Sequence, residues 1–358
     1  MKEYWKSLDG LRALAVGIVM LAHAGFPYPR SGGVGVDIFF VLSGFLITGI
    51  LSKECQLRGS VSRKNFYIRR FLRLSPCLFV CLILFVLLFY ISFGTVKFDT
   101  VGIVLTYTGN YARALYSYDL QSMKHCWSLA IEEQYYILWP LVIVFLERNA
   151  KSNKSKFLIL FSLSLLLGIY RASMVGVFSP ARIYFALDTH MDGLVMGSSL
   201  AYLVPLLSSH RRQAQVVFYK LLSRFVMPSV VVGVMILMYL VTWGDDWMGM
   251  YGFTLVALAS CVIILELVLS PFSFLRPLLE KPFLVYCGKI SYGLYLYHYP
   301  IYYCVISELG DMNRIYRGML MVSLSFFAAS LSYHFIEMRF LVLKHRFANS
   351  YQKIPKAQ

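Results

Sequence analysis

The residues with most chemical potential in this sequence are ionisable groups set inside apolar runs. Arg12 and His23 lie in the first run, Asp37 in the second, and Glu132 and Glu133 at the start of the fourth. Asp188, His190, Asp192, His298, His334 and Glu337 complete the set. A charge held in hydrocarbon is energetically expensive, so each of these is a candidate for function. Arg12 and His23 are eleven residues apart. That spacing turns a helix by about 1100°, close to three full turns, and advances it by about 16 Å. One helix face would then carry a guanidinium at one end and an imidazole at the other. A guanidinium grips anions, and an imidazole titrates near neutrality and can act as a general base. The pair suits a long ligand with phosphate at one end. Snorkelling of the two side chains to opposite interfaces is the alternative these residues leave open.

Arg70 and Arg73 are spaced i, i+3, with Arg69 beside them, just before Ser75-Pro76. Two guanidiniums on one face can hold phosphate in a forked geometry. Ordinary loop charge is the competing account. After Trp127, the residues Ser128, Glu132 and Tyr136 follow at i, i+4 steps. A hydroxyl, a carboxylate and a phenol therefore share one face. His298 sits in the tyrosine-rich stretch Ser291 to Pro300, where a structural histidine and a working one look alike. The spacing of Asp188, His190 and Asp192 favours hydrogen-bonding and capping roles over a metal, and no metal is expected. The seven cysteines show neither a zinc-type pair nor a disulfide framework.

The elements that must position these groups are membrane helices. Of 358 residues, 58% are hydrophobic and 15% charged, against roughly 45–50% and 25% in soluble domains. The excess falls in runs long enough to cross a hydrocarbon core of about 30 Å. Ten spans are expected, at roughly 8–26, 33–52, 74–94, 128–147, 157–176, 188–207, 225–243, 250–269, 288–307 and 318–343. Lys and Arg concentrate in alternate connections, as at 53–73, at 148–156 and at Arg211, Arg212, Lys220 and Arg224. The tail adds Lys344, Arg346, Lys353 and Lys356. This asymmetry predicts that both termini are cytoplasmic. The net charge of +16 is thereby accounted for, and nucleic-acid binding is not expected. The outer segment 95–127 contains a moderately apolar stretch, 98–111, that is interfacial, re-entrant or spanning. The expected fold is all-α and polytopic, with one domain over 1–345 and a short basic tail over 346–358. The first run contains Arg12 and no small-x-small cleavage site, so it is expected to be retained.

Taken together, these segments resemble the acyltransferase type 3 family of bacterial membrane O-acyltransferases. The resemblance runs through Leu8-Asp9-Gly10-Leu11-Arg12 to His23, and through Gly35-Val36-Asp37-Ile38-Phe39-Phe40 to Ile47. It continues at Arg70 and Arg73, at Trp127 to Glu132, at Ser291 to Pro300, and at Ser332 to Glu337. Where the family often has proline two residues after that last glutamate, Arg339 stands here. The resemblance implies an O-acyltransferase of the bacterial cytoplasmic (inner) membrane. Its donor would be cytoplasmic acetyl-CoA or a related acyl-CoA. Its acceptor would be a glycan or lipid-linked sugar, with O-antigen or another surface polysaccharide first. Arg12, Arg70 and Arg73 would bind CoA. His23 would be the general base, oriented by Asp37 or Glu132, with a transient acyl-histidine as an alternative. Trp127, Ser128, Tyr136 and His298 would contact substrate. Some family members carry a fused extracytoplasmic hydrolase-like domain. Without one, the chain would act alone or hand acyl groups to a separate partner. A lipid-linked-sugar transporter also needs intramembrane charge, but paired broken helices in two related halves are not apparent.

Overall fold

The computed structural model describes residues 4–208, 213–240, 242 and 244–348, and its regular structure is helical. α1 (Lys6–His23), α2 (Gly33–Arg58) and α3 (Arg63–Phe93) come first, followed by two short helices, α4 (Phe98–Leu105) and α5 (Gly109–Tyr116). α6 (Cys126–Asn149) and α7 (Asn153–Met174) follow, then the short α8 (Pro180–Phe185) and α9 (Leu187–His190), which lead into α10 (Asp192–Ser208). α11 (Gln213–Leu221), a π turn at Leu222–Val226 and α12 (Met227–Leu240) run on from one another. A π turn at Met248–Gly252 opens α13 (Phe253–Leu269). The chain then forms α14 (Arg276–Leu279), α15 (Pro282–Lys289), α16 (Ser291–Glu308) and α17 (Arg314–Ser332). A π turn at Tyr333–Glu337 joins α17 to α18 (Met338–Ala348).

Helices stand at all ten expected places. Seven, among the described residues, are long and apolar enough to cross a membrane unaided. α1 and α16 have 18 residues each and α10 has 17, and none of the three is among those seven. Their short length or polar content is tolerable because neighbouring helices cover them. α1 packs on α2, α15 and α16, and α10 lies between α2 and α7. Lipid is therefore not the main solvent of these helices. The sixth expected span also begins late. Residues 187–190 form the separate turn α9, and the continuous helix starts at Asp192. The stretch 98–111 falls on α4 and α5, each eight residues and about 12 Å long. Neither can span a bilayer alone, and α5 packs on α6 and α8. Arg211, Arg212, Lys353, Lys356 and most of the expected tail lie outside the described residues.

Two devices set the close packing. A Cβ on Gly44 would overlap the Leu194 carbonyl, and one on Gly197 would overlap the Val41 carbonyl. The α2 and α10 backbones therefore touch, as small residues permit in membrane helices. On the far side of α10, Arg171 is fully buried and pairs with Asp192 at 2.6 Å. Its Nε donates to the Gly249 carbonyl at 2.7 Å, on the π turn. A buried charge needs this full set of partners.

Candidate functional site

α1, α2, α3, α6 and α16 enclose a cavity of about 130 Å³. Arg12, Arg70 and Arg73 line one part of it, and Ser43, Glu132 and Tyr136 another. It adjoins a second cavity of about 700 Å³ that shares Arg12, Arg73, Ser291 and Tyr292 and also meets Lys53 and Lys289. The three arginines are held differently. Arg12 pairs with Asp9 at 3.0 Å. Arg70 donates to Glu133 at 3.2 Å, and its guanidinium carbon lies 3.6 Å from the Tyr136 ring centroid. Arg73 lines both cavities and makes neither hydrogen bond nor ion pair among the described residues. Its fork of N–H donors is open to an anion. Arg69 faces elsewhere, toward Glu54 at 3.4 Å and the Phe347 carbonyl at 3.2 Å.

Glu132 accepts from Ser43 Oγ at 2.7 Å. Ser128 and Tyr295 also line the smaller cavity, and their hydroxyls are 2.6 Å apart. The Tyr295 phenol donates to the His125 carbonyl at 2.9 Å. Ser128 Oγ also reaches the same carbonyl, at 3.4 Å, so the two hydroxyls share it and either can be the donor between them.

Next to Tyr295 stands His298, and beyond it His23. His23 Nδ1 lies 2.9 Å from His298 Nε2, and their rings are stacked. His298 is fully buried, and its Nδ1 lies 2.7 Å from the Tyr295 carbonyl. A carbonyl only accepts, so His298 carries its proton on Nδ1 and offers a lone pair at Nε2. His23 must then donate from Nδ1. Its Nε2 is left with a free lone pair, on a side chain that is exposed. This tautomer chain is what a general base requires.

His23 is thus oriented by His298, and not by either carboxylate proposed from sequence. Asp37 is buried, and its Oδ1 is 2.8 Å from His190 Nε2. His190 Nδ1 in turn donates to the Tyr184 carbonyl at 2.6 Å. Glu132 is on the arginine-lined cavity instead. Trp127, expected to touch substrate, is buried among Phe40, Tyr184, Phe185 and His190 and lines neither cavity. Ser128 and Tyr136 do line the smaller cavity. Asp188, His190 and Asp192 take separate partners, Arg182, Asp37 and Arg171. Glu337 lines the larger cavity, and His334 faces Tyr286 outside it.

His125, Tyr295 and Ser43 are not among the site residues expected from the sequence. A signal for His125 existed in Pro300. Proline has no N–H, so the carbonyl four residues back, Leu296, loses its helical donor. That carbonyl instead accepts from His125 Nε2 at 3.1 Å and from Cys81 Sγ at 3.4 Å.

Residues 5–334 match the profile of a family described as Acyltransferase domain. A Listeria monocytogenes protein named Peptidoglycan O-acetyltransferase OatA is 33% identical over 354 residues, covering 94% of this chain and 56% of its own. A Staphylococcus aureus protein named O-acetyltransferase OatA is 33% identical over 355 residues, with 94% and 57% covered. The chain therefore spans somewhat more than half the length of these relatives. No solved structure matches.

Proposed function

The chain belongs to this acyltransferase family, and on that premise we propose that it moves an acetyl group from acetyl-CoA to a hydroxyl of an envelope glycan. Arg73, with Arg70 and Arg12, binds the CoA phosphates at the arginine-lined end. The pantetheine arm lies along the cavity toward Ser128 and Tyr295. His23 Nε2 takes the proton of the acceptor hydroxyl as its oxygen attacks the thioester carbonyl. The new C–O ester bond forms, the C–S bond breaks, and the imidazolium proton goes to the departing thiolate. His298 steadies the imidazolium through the Nδ1–H of His23.

The observation that carries this reading is the fixed tautomer of His23, with its free Nε2 on the same helix as Arg12. The name of the Listeria relative makes peptidoglycan the first acceptor to test, ahead of O-antigen. The setting is the cytoplasmic membrane, with the donor on the cytoplasmic side. The acetyl group goes to the glycan directly or through a separate extracytoplasmic transferase. Membrane vesicles with labelled acetyl-CoA and added glycan provide the test. His23→Ala is expected to abolish labelling of the glycan while the protein stays monodisperse in detergent. Turnover retained in that variant would remove the base role.

A further inference from the structure

His125 has no place in the mechanism so far, yet it is 2% exposed and stands within the histidine cluster. Its ring centroid is 5.1 Å from that of His298, and it stacks on Tyr299 at 5.3 Å. Its Nε2 is committed. The Leu296 carbonyl, freed by Pro300, can only accept, so Nε2 carries the proton. Nδ1 is therefore a lone pair. It is buried and has no hydrogen-bond partner. Buried acceptors in folded proteins are almost always satisfied, and one left open beside a reactive centre calls for a donor from a ligand. Ser128 and Tyr295 line the arginine-bearing cavity, whereas His125 is not among its lining residues and packs on the rings of Tyr295, His298 and Tyr299.

We propose that His125 Nδ1 is the hydrogen-bond acceptor that holds the acceptor sugar, taking a hydroxyl proton donor and fixing that sugar beside His23. This rests on the acyl-transfer reading above. It makes His125 a positioning residue of the acceptor subsite, contributed by the outer segment that precedes α6. Its geometry comes from three linked causes. Pro300 frees a carbonyl, that carbonyl fixes the His125 tautomer, and the tautomer leaves one acceptor atom without a protein donor.

Two substitutions separate this from a purely structural role. His125→Gln keeps an N–H near Nε2 for the Leu296 carbonyl but removes the acceptor at Nδ1. His125→Asn places an amide oxygen near Nδ1 and gives up the Leu296 bond. Binding of a soluble muramyl disaccharide, and in parallel of a deacetylated O-antigen oligosaccharide, is measured on the full chain in detergent without acetyl-CoA. KM and kcat follow in vesicles. The expected result is that His125→Gln weakens binding of one of these sugars and raises its KM by about tenfold, with kcat and the KM for acetyl-CoA little changed. His125→Asn should stay within about threefold of wild type. The opposite ranking, equal values in both variants, or a wild type that binds neither sugar would overturn the assignment. A wild type that binds sugar but transfers no acetyl group would remove the acyl-transfer reading and leave the sugar contact standing.

Discussion

At the residue scale, the guanidiniums differ in how free they are. Arg70 is already bonded to Glu133 and stacked on Tyr136, whereas Arg73 has no protein partner among the described residues. Arg73→Ala should therefore raise the KM for acetyl-CoA by about 10–100-fold, the range of a lost charge-assisted contact, with little change in melting temperature. An unchanged KM in steady-state kinetics would count against phosphate binding there. Arg70→Ala should be less clean, because it also strands the Glu133 carboxylate. His298 governs a different quantity. His298→Leu removes the acceptor of the His23 Nδ1–H and lets the proton move to Nε2, the atom that must stay bare. The expectation is a fall in kcat of about 10²–10⁴-fold with the acetyl-CoA KM preserved. A proportional rise in that KM would point to a packing role instead.

At the element scale, α16 works through a defect. Pro300 removes one helical hydrogen bond, and the released Leu296 carbonyl reaches sideways to His125 and Cys81. Pro300→Ala supplies the missing N–H and should draw that carbonyl back into the helix. Thermal stability should not fall, while the acceptor KM rises as His125 loses its anchor. Loss of stability without any kinetic change would contradict this account. The α2–α10 contact makes a separate prediction. Gly44→Val must push two touching backbones apart, since even a Cβ would overlap the Leu194 carbonyl. Overpacking of this kind costs about 1–3 kcal/mol or more, and should appear as a lower melting temperature and poor recovery in detergent.

At the scale of the whole molecule, Arg12, Arg70 and Arg73 line the smaller cavity together with Ser128 and Tyr295, and Tyr295 in turn touches His298 and His125. Tyr295→Phe keeps the ring but removes both hydroxyl contacts. It should raise acetyl-CoA hydrolysis measured without acceptor, because the cavity wall at Ser128 and Tyr295 loses the hydroxyl contact that helps keep water out. An unchanged hydrolysis rate would mean that the phenol does not keep water from the thioester. The ten helix positions were legible because the length of an apolar run needed to cross a bilayer is a one-dimensional property. The three helices that miss the length or apolarity of a lone span, α1, α10 and α16, include the two that carry Arg12, His23 and His298. The ionisable and polar side chains there weaken the local signal for a span.

What the sequence determined by itself was therefore the helical membrane class, the positions of the helices, and the placing of Arg12 and His23 on one helix. These follow from hydropathy and the 3.6-residue period, which depend only on neighbours along the chain. Which group orients His23 was decided by the tertiary structure alone. Asp37 and His298 lie on different helices from His23, and only packing brings α16, rather than the carboxylate of α2, against its imidazole. The same holds for His125. Its tautomer depends on a carbonyl 171 residues away, and no local pattern reports how two distant helices meet.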